Sequence, residues 1–456
     1  MSATEQLYDP VRAAAVEILD LMETERRTTE TAIQEVVSGR DFSPLDKRFI
    51  RQLVNGTVKL KRRLDHDVRF YLSRPSEKLP LSLINILRLG FFQLLFTDRI
   101  PAAAAVSESV NLARHFCDNS RARLVNAVMR SALRHPERVV FVDRNDNPIK
   151  YLADFYSYPE WFVDYCLQEF RIDAAEPMLA SMNRAPRLSF RLNPIKARAE
   201  QVEEILEKEN ITYTRGEYLP EYYHLDDGSL PPDHELITGG KIYIQDESAG
   251  LAVRLLNPRH DTSVLDMAAA PGGKALYAAT RMRNKGMITA IDKSRPRLEL
   301  MMENVERQGV HNINPVHGDI LEFRAEPFDR VILDAPCSGW GNAGKHSDLR
   351  WSRQVDDINK LFKIQSMMID RAAKLVKPGG ILVYSTCTIL RKENDQVVEE
   401  FLLRRKDFEL ESASQYFTGE IISERGFIKT YPEVSKLSGA FSARLKKTMH
   451  GKKKHK

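Results

Sequence analysis

Apolar residues recur every three to four positions through the first 140 residues, and that spacing predicts a run of helices. Val11, Ala14, Ala15, Ile18, Leu19 and Met22 share one face over residues 10–22. Ser43-Pro44 joins a side-chain cap to a first-turn proline, opening a helix through Ile50, Leu53, Val54 and Val58. Further helices are expected at 81–97, 102–116 and 122–133, the last ending before Pro136. From about 145 to 240 the periodicity is mixed. Helices at 158–170 and 174–182 precede an alternating strand at 188–193, a helix at 198–209 and strands at 211–215 and 222–225. That β-α-β order predicts a small RRM-like sheet. From 241 onward strands and helices alternate, which predicts a doubly wound, Rossmann-like parallel sheet. Its strands fall at 263–266, 287–292, 314–317, 328–334 and 380–385. Its helices include 295–308, stopped by Gly309, and 355–376, stopped by Pro378-Gly379-Gly380. The expected division is an all-α domain at 1–144, a linker and small α+β domain at 145–240, an α/β domain at 241–445 and a basic disordered tail at 446–456.

Composition narrows the class. Across 456 residues, 43% hydrophobic and 29% charged side chains rule out wholesale disorder. The longest apolar run, 83–96, is interrupted by Asn85, Arg88 and Gln93 and falls short of the roughly 20 residues a bilayer needs, so no membrane span is expected. The N-terminus lacks the basic and apolar regions of a signal peptide, which points to a cytoplasmic protein. Cys117, Cys166, Cys337 and Cys387 form no C-x-x-C pair and the histidines are scattered, so neither a disulfide framework nor a metal site is expected. The net charge of +5 is concentrated at one end: Arg444 to Lys456 holds seven Lys or Arg and no acid, leaving the remainder slightly acidic. That tail and the run Lys59-Leu-Lys-Arg-Arg63 suit phosphate contacts, or are simply solvated.

Three motifs carry candidate chemistry. In Asp266-Met-Ala-Ala-Ala-Pro-Gly-Gly-Lys274, between a strand and a helix, the glycines allow a ligand to approach the backbone at the carboxyl end of the sheet. A P-loop is excluded, because it requires Gly at 268 and Ser or Thr at 275, and both are Ala. Asp292, twenty residues past Gly272, ends the next strand, where a carboxylate accepts hydrogen bonds from ribose hydroxyls. Asp319 follows the third strand and is a candidate acceptor for an adenine amino group. Asp334-Ala-Pro-Cys-Ser-Gly339 and Ser385-Thr-Cys-Thr388 each place a cysteine just past a strand end. One such cysteine is more often inert core. Two at neighbouring strand ends, about 5 Å apart across the sheet, point to chemistry.

With these motifs, the sequence resembles the RNA (cytosine-5) methyltransferases of the RsmB/Sun/Fmu group. The resemblance runs from Gln245-Asp-Glu-Ser248 through the three motifs to Glu393-Asn-Asp395. In the helical region, Ile86-Leu-Arg-Leu-Gly90, Val106-Ser-Glu-Ser-Val110 and Val125-Asn-Ala-Val-Met-Arg130 resemble the NusB-type RNA-binding domain. The resemblance implies an S-adenosylmethionine-dependent enzyme acting on carbon 5 of a cytosine in 16S ribosomal RNA, and a monomer with RNA as partner. It also implies roles: Ala268, Ala269, Ala270, Pro271, Gly272, Gly273 and Lys274 as the cofactor loop, Asp292 on the ribose, Asp319 on the adenine and Asp334 between cofactor and base. Cys387 would be the nucleophile and Cys337 the residue assisting product release. Lys274 is our candidate for the cytosine carbonyl oxygen. The sequence departs from the group's pattern at Ala268, at Trp340, at Lys345-His-Ser-Asp348 and at Ser438-Gly-Ala-Phe441. The alternatives are a transfer RNA substrate, or a non-catalytic RNA-binding or antitermination factor.

Overall fold

A computed structural model describes residues 8–73, 78–185, 187–226 and 230–449 and divides the chain into two compact units. The first comprises the residues up to Arg184 together with Ala343–Ser352. Its leading helices are Pro10–Glu25, Thr29–Val37, Pro44–Lys59, Lys61–Arg69, Leu81–Phe96, Ala102–Phe116 and Asn119–Arg134. Ser43 caps the third through a capping box with Asp46, as its sequence predicts. Helix Leu81–Phe96 is buried continuously from Leu83 to Gln93, so it occupies the centre rather than a face. Its polar interruptions are satisfied inside: Asn85 donates to Asp20 at 2.8 Å, and Arg88 pairs with Asp65 and Glu23 at 2.7 and 2.6 Å.

The second unit holds two sheets. The strands β1 (Ser189–Leu192), β2 (Tyr213–Arg215), β3 (Tyr222–Leu225) and β4 (Ile242–Ile244) pair antiparallel in the order β2-β3-β1-β4, with helix Ala199–Lys208 between β1 and β2. The eight-stranded sheet is formed by β5 (Ser263–Met267), β6 (Met287–Asp292), β7 (Ile313–His317), β8 (Phe328–Asp334), β9 (Val376–Thr386), β10 (Phe408–Glu411), β11 (Ile428–Thr430) and β12 (Ala440–Lys447). Its order is β10-β12-β9-β8-β5-β6-β7, with β11 on β12. The five strands from β9 to β7 are parallel, and β12 closes antiparallel on β9. Chain direction across the sheet therefore reverses at β5 and β8, the switch point where doubly wound folds open a crevice at the carboxyl ends of their strands.

Helices Pro148–Tyr156, Glu160–Glu169 and Ile172–Ser181 group with the helical unit, and the small sheet with the large one. Two expected element ends are corrected. Helix Val355–Lys374 ends before the Pro-Gly-Gly triplet, which lies inside β9. Val376 already pairs with Phe328 and Ile381 with Arg330, so the extra residues bulge from β9, where Gly379 at φ +76° absorbs the irregularity. Lys446 and Lys447, assigned to a disordered tail, form the end of β12 opposite Glu409 and Phe408, and residues 450–456 lie outside the described residues.

The basic run 59–63 is also not a free phosphate-binding face. Lys59 directs its Nζ to the carbonyls of Asn183 and Arg184, and burial pushes its ammonium down to about 8, with the charge of Arg350 adding. Lys61 pairs with Glu23, Arg62 with Asp154 and Glu160, and Arg63 with Asp67. The segment Ala343–Ser352 packs beside them. Arg350 is fully buried, 4.0 Å over the Tyr158 ring, donating to Asn183 Oδ1 at 2.7 Å and Met182 O at 3.0 Å. Trp351 donates to Val58 O at 2.7 Å. Among the described residues no helix is long and apolar enough to cross a membrane.

Candidate active site

The crevice is built from the turns that leave β5, β6, β8 and β9. Past β5, the chain turns through Ala268 at φ +64°, a cis Ala270-Pro271 bond and Gly272 at φ +103° before helix Gly273–Arg281 begins. A Cβ on Gly272 would stand 2.6 Å from Met301 Cγ, so only glycine fits that left-handed position. Asp292, at the end of β6, clamps the turn: its Oδ2 accepts from Ala270 N at 3.1 Å and its Oδ1 from Ser294 N at 2.9 Å. Each oxygen retains a second acceptor site for a ligand hydroxyl. Asp319 is exposed past β7, its Oδ1 accepting from Leu321 N at 2.8 Å.

Asp266, within β5 just before the turn, opens the motif. It is 1% exposed, and neither carboxylate oxygen completes a hydrogen bond, although the Ala275 N–H is near. Burial pushes its carboxyl up to about 8; Lys274 opposes that rise, while Asp334 and Asp292 add to it. An orphaned buried carboxyl beneath a left-handed glycine turn is what a site for a polar, cationic cofactor presents. The turn and its flanking carboxylates therefore fit S-adenosylmethionine.

At the neighbouring strand ends Asp334 and Ser385 stand opposite each other in register. Ser385 Oγ donates to Asp334 Oδ1 at 3.0 Å, and Lys274 Nζ meets Asp334 Oδ2 at 2.7 Å. Burial works against the Lys274 ammonium, yet the charge and hydrogen bond of Asp334 hold it above its usual range. Three residues past Asp334 and two past Ser385, the Cys337 and Cys387 sulfurs lie 3.3 Å apart, with Cys387 the more exposed. The two thiols differ in kind. The hydrogen bond from Cys337 lowers the Cys387 thiol against burial and the Asp334 charge, with Lys274 assisting. The same hydrogen bond, then burial, pushes Cys337 well up. Cys387 is thus the more readily ionised of the two thiols.

A buried scaffold sets this pair. Glu393, without solvent exposure, accepts from Ser338 N at 2.8 Å, from Ser338 Oγ and from Gln365 Nε2 at 2.9 Å; Gln365 also donates to Pro336 O at 2.9 Å. Asn394 donates to Thr388 O at 2.8 Å, so consecutive residues grip both cysteine loops. Gly341 donates to Cys387 O at 3.0 Å, and a Cβ there would fall 1.8 Å from Gly439 O. Glu393 and Asn394 were visible in sequence only as the end of a motif; Gln365, within a helix, gave no signal. Trp340, a departure from the group's pattern, is a fully buried core residue.

Residues 253–446 match the 16S rRNA methyltransferase RsmB/F family, 9–134 the NusB family, and 158–229 the ferredoxin-like domain of RsmF/B-like methyltransferases. The chain is 33% identical to the probable ribosomal RNA small subunit methyltransferase B of Bacillus subtilis, over 88% of this chain and 89% of that protein. It is 33% identical to the Synechocystis protein of the same name, over 96% and 100%. Among solved structures, PH0851 superposes with a TM-score of 0.77 at 25% identity, covering 97% of this chain and all of that one. NSun6 from Pyrococcus horikoshii, solved with SFG, gives 0.59 at 25% identity, covering 64% and 99%. One-third identity sustained along nearly the full length of both chains, on a fold with the expected helical, α+β and doubly wound parts, places the chain in the RsmB/F family of 16S rRNA methyltransferases, S-adenosylmethionine-dependent enzymes of the cytosine-5 type.

Proposed function

We propose that the chain methylates a cytosine of 16S ribosomal RNA through a covalent bond between Cys387 and carbon 6 of the base. The observation that carries this reading is the cysteine pair, 3.3 Å apart, whose shared hydrogen bond lowers the Cys387 thiol and raises that of Cys337. Carbon 5 of cytosine is a weak nucleophile and needs covalent activation. The Cys387 thiolate adds to carbon 6, and the displaced electron pair moves toward the ring nitrogen and carbonyl oxygen. Lys274 donates to that oxygen, and Asp334 accepts from the exocyclic amino group, so the developing charge meets a fixed cation. Residues 268–274, Asp292, Asp319 and Asp334 would hold S-adenosylmethionine, which when bound would supply to carbon 5 a methyl group carried on a cationic sulfur. Once Cys387 is a thioether it no longer shares a hydrogen bond with Cys337, and the Cys337 proton passes to solvent water, leaving Cys337 as thiolate. Cys337 then removes the carbon 5 proton, the double bond re-forms, and Cys387 leaves as thiolate. In this reading residues 1–144 and 145–240 position the RNA, and 241–445 carry the chemistry.

The test separates the two cysteines. Cys387→Ala should abolish methylation and any protein-RNA adduct. Cys337→Ala should methylate once and stall, leaving a cofactor-dependent protein-RNA band on denaturing electrophoresis. Adduct lost in Cys337→Ala but retained in Cys387→Ala would reverse the assignment, and no adduct in either would remove the covalent step. Bisulfite mapping of 16S RNA with and without the gene identifies the cytosine.

A further inference from the structure

With the 59–63 run committed to internal ion pairs, the helical unit offers a different surface to its RNA. Helices Ala102–Phe116 and Asn119–Arg134 run as a hairpin and leave a groove of about 680 Å³ between them. One wall is a face of the first helix, with Ala103, Val106, Val110 and Arg114 at spacings of three and four and Asn111 beside them. The other wall is Asn126, Arg130 and Arg134, four residues apart, with Leu133 44% exposed beside them.

The charge of this groove is unbalanced. Helix Asn119–Arg134 carries Arg121, Arg123, Arg130 and Arg134 and no acidic residue. Arg121 pairs with Asp118, the helix cap. Among the described residues Arg114, Arg130 and Arg134 pair with no carboxylate: they donate to Asn111 and Asn119, to Asn126, and to the carbonyl of Arg130. The nearest acid on the first helix, Glu108, is turned away to accept from the Asp9 backbone. Other arginines of this unit are neutralised by neighbours, among them Arg40 by Glu17, Arg51 by Glu30 and Arg27 by Glu25.

The geometry points to this groove as the seat of the ribosomal RNA backbone on the helical unit, with the three guanidiniums that lack a carboxylate partner on phosphates and Asn111 and Asn126 between them toward the bases. The chemistry matches the partner: planar guanidiniums bind phosphate in bidentate fashion, side-chain amides reach base edges, and a cationic groove that tracks the backbone is one part of single-stranded recognition. The inference rests on the proposed RNA substrate but not on the covalent step.

The experiment uses the full-length Cys387→Ala protein, so RNA binding is read with the chemistry removed. In that background, Arg114→Gln, Arg130→Gln and Arg134→Gln are combined. The control combines Arg27→Gln, Arg40→Gln and Arg51→Gln, which changes the net charge equally at exposed sites. Affinity for a 16S RNA transcript is measured across salt concentrations. The groove triple should bind about tenfold or more weakly, and the slope of log affinity against log salt should fall by about 2, since each lost phosphate contact removes roughly 0.7 to 0.9. The control should change little. Equal weakening in both triples would show that only net charge matters, and unchanged binding in the groove triple would give the surface to a non-RNA partner; either overturns the inference. Failure of the methylation proposal shows separately, in the cysteine variants with intact arginines.

Discussion

At the scale of single residues, the crevice gathers groups whose charge state depends on burial. Asp266 titrates near 8 in the folded chain, far above its usual 3.8, because it is sealed from water without complete hydrogen bonds. Between those values the folded protein holds a proton that the unfolded chain has lost. This contribution to stability is fully present below the unfolded value and is lost as pH rises through the folded one. Asp266→Asn, which keeps the shape and cannot ionise, should flatten that loss. Denaturant titrations at about pH 5.5 and pH 8 should show a smaller drop in unfolding free energy for the variant than for the native protein. An identical drop in both would mean that Asp266 ionises freely.

At the scale of elements, parallel pairing of β8 and β9 delivers two loops to one point, and the turn after β9 decides how closely they meet. Glu393 sits on that turn and accepts hydrogen bonds from the Cys337 loop through Ser338 and from helix Val355–Lys374 through Gln365. Burial raises its carboxyl, and the Ser338 bonds pull it back. Glu393→Gln preserves the volume but turns one acceptor into a donor facing Ser338, which leaves buried groups mismatched at a cost of about 1 to 3 kcal/mol. The expected outcome is a lower melting temperature and a reduced kcat, with cofactor affinity retained because residues 268–274 are untouched. A variant with native kcat would show that the cysteine separation is set elsewhere.

At the scale of the whole molecule, the helical unit is not a detachable addition. Ala343–Ser352 lies in sequence between the two cysteine motifs, yet it packs in that unit, with Trp351 on Val58 and Asp348 accepting from Thr29 N at 3.2 Å. Deleting residues 1–140 would strip Trp351 of its hydrogen-bond acceptor and of the apolar side chains around it. The truncated chain should therefore express poorly or melt at lower temperature, in addition to losing RNA affinity. A truncation with native melting behaviour would show that the 343–352 segment holds its conformation without the leading helices.

Periodicity alone was enough for local structure where a strong pattern met a clear stop. Helices Ala102–Phe116 and Arg295–Gln308 and strands Met287–Asp292 and Phe328–Asp334 lie where their spacing, Gly309 and the flanking turns put them. The motifs also located the crevice, because doubly wound sheets place ligands at strand ends whatever the remaining sequence. Short or edge strands such as β4, β10 and β11 were not legible, since three or four residues give too little periodicity to read. Nor was the fate of charge: a basic run reads the same whether its partners are water or buried carboxylates. Only the packed chain shows that residues 59–63 are consumed internally while Arg114, Arg130 and Arg134 lack a carboxylate partner among the described residues. The difference between the two thiols was likewise a tertiary decision. It depends on a 3.3 Å approach and on Lys274 and Asp334 beside it, residues separated by as many as 113 positions in the chain and brought together by the sheet.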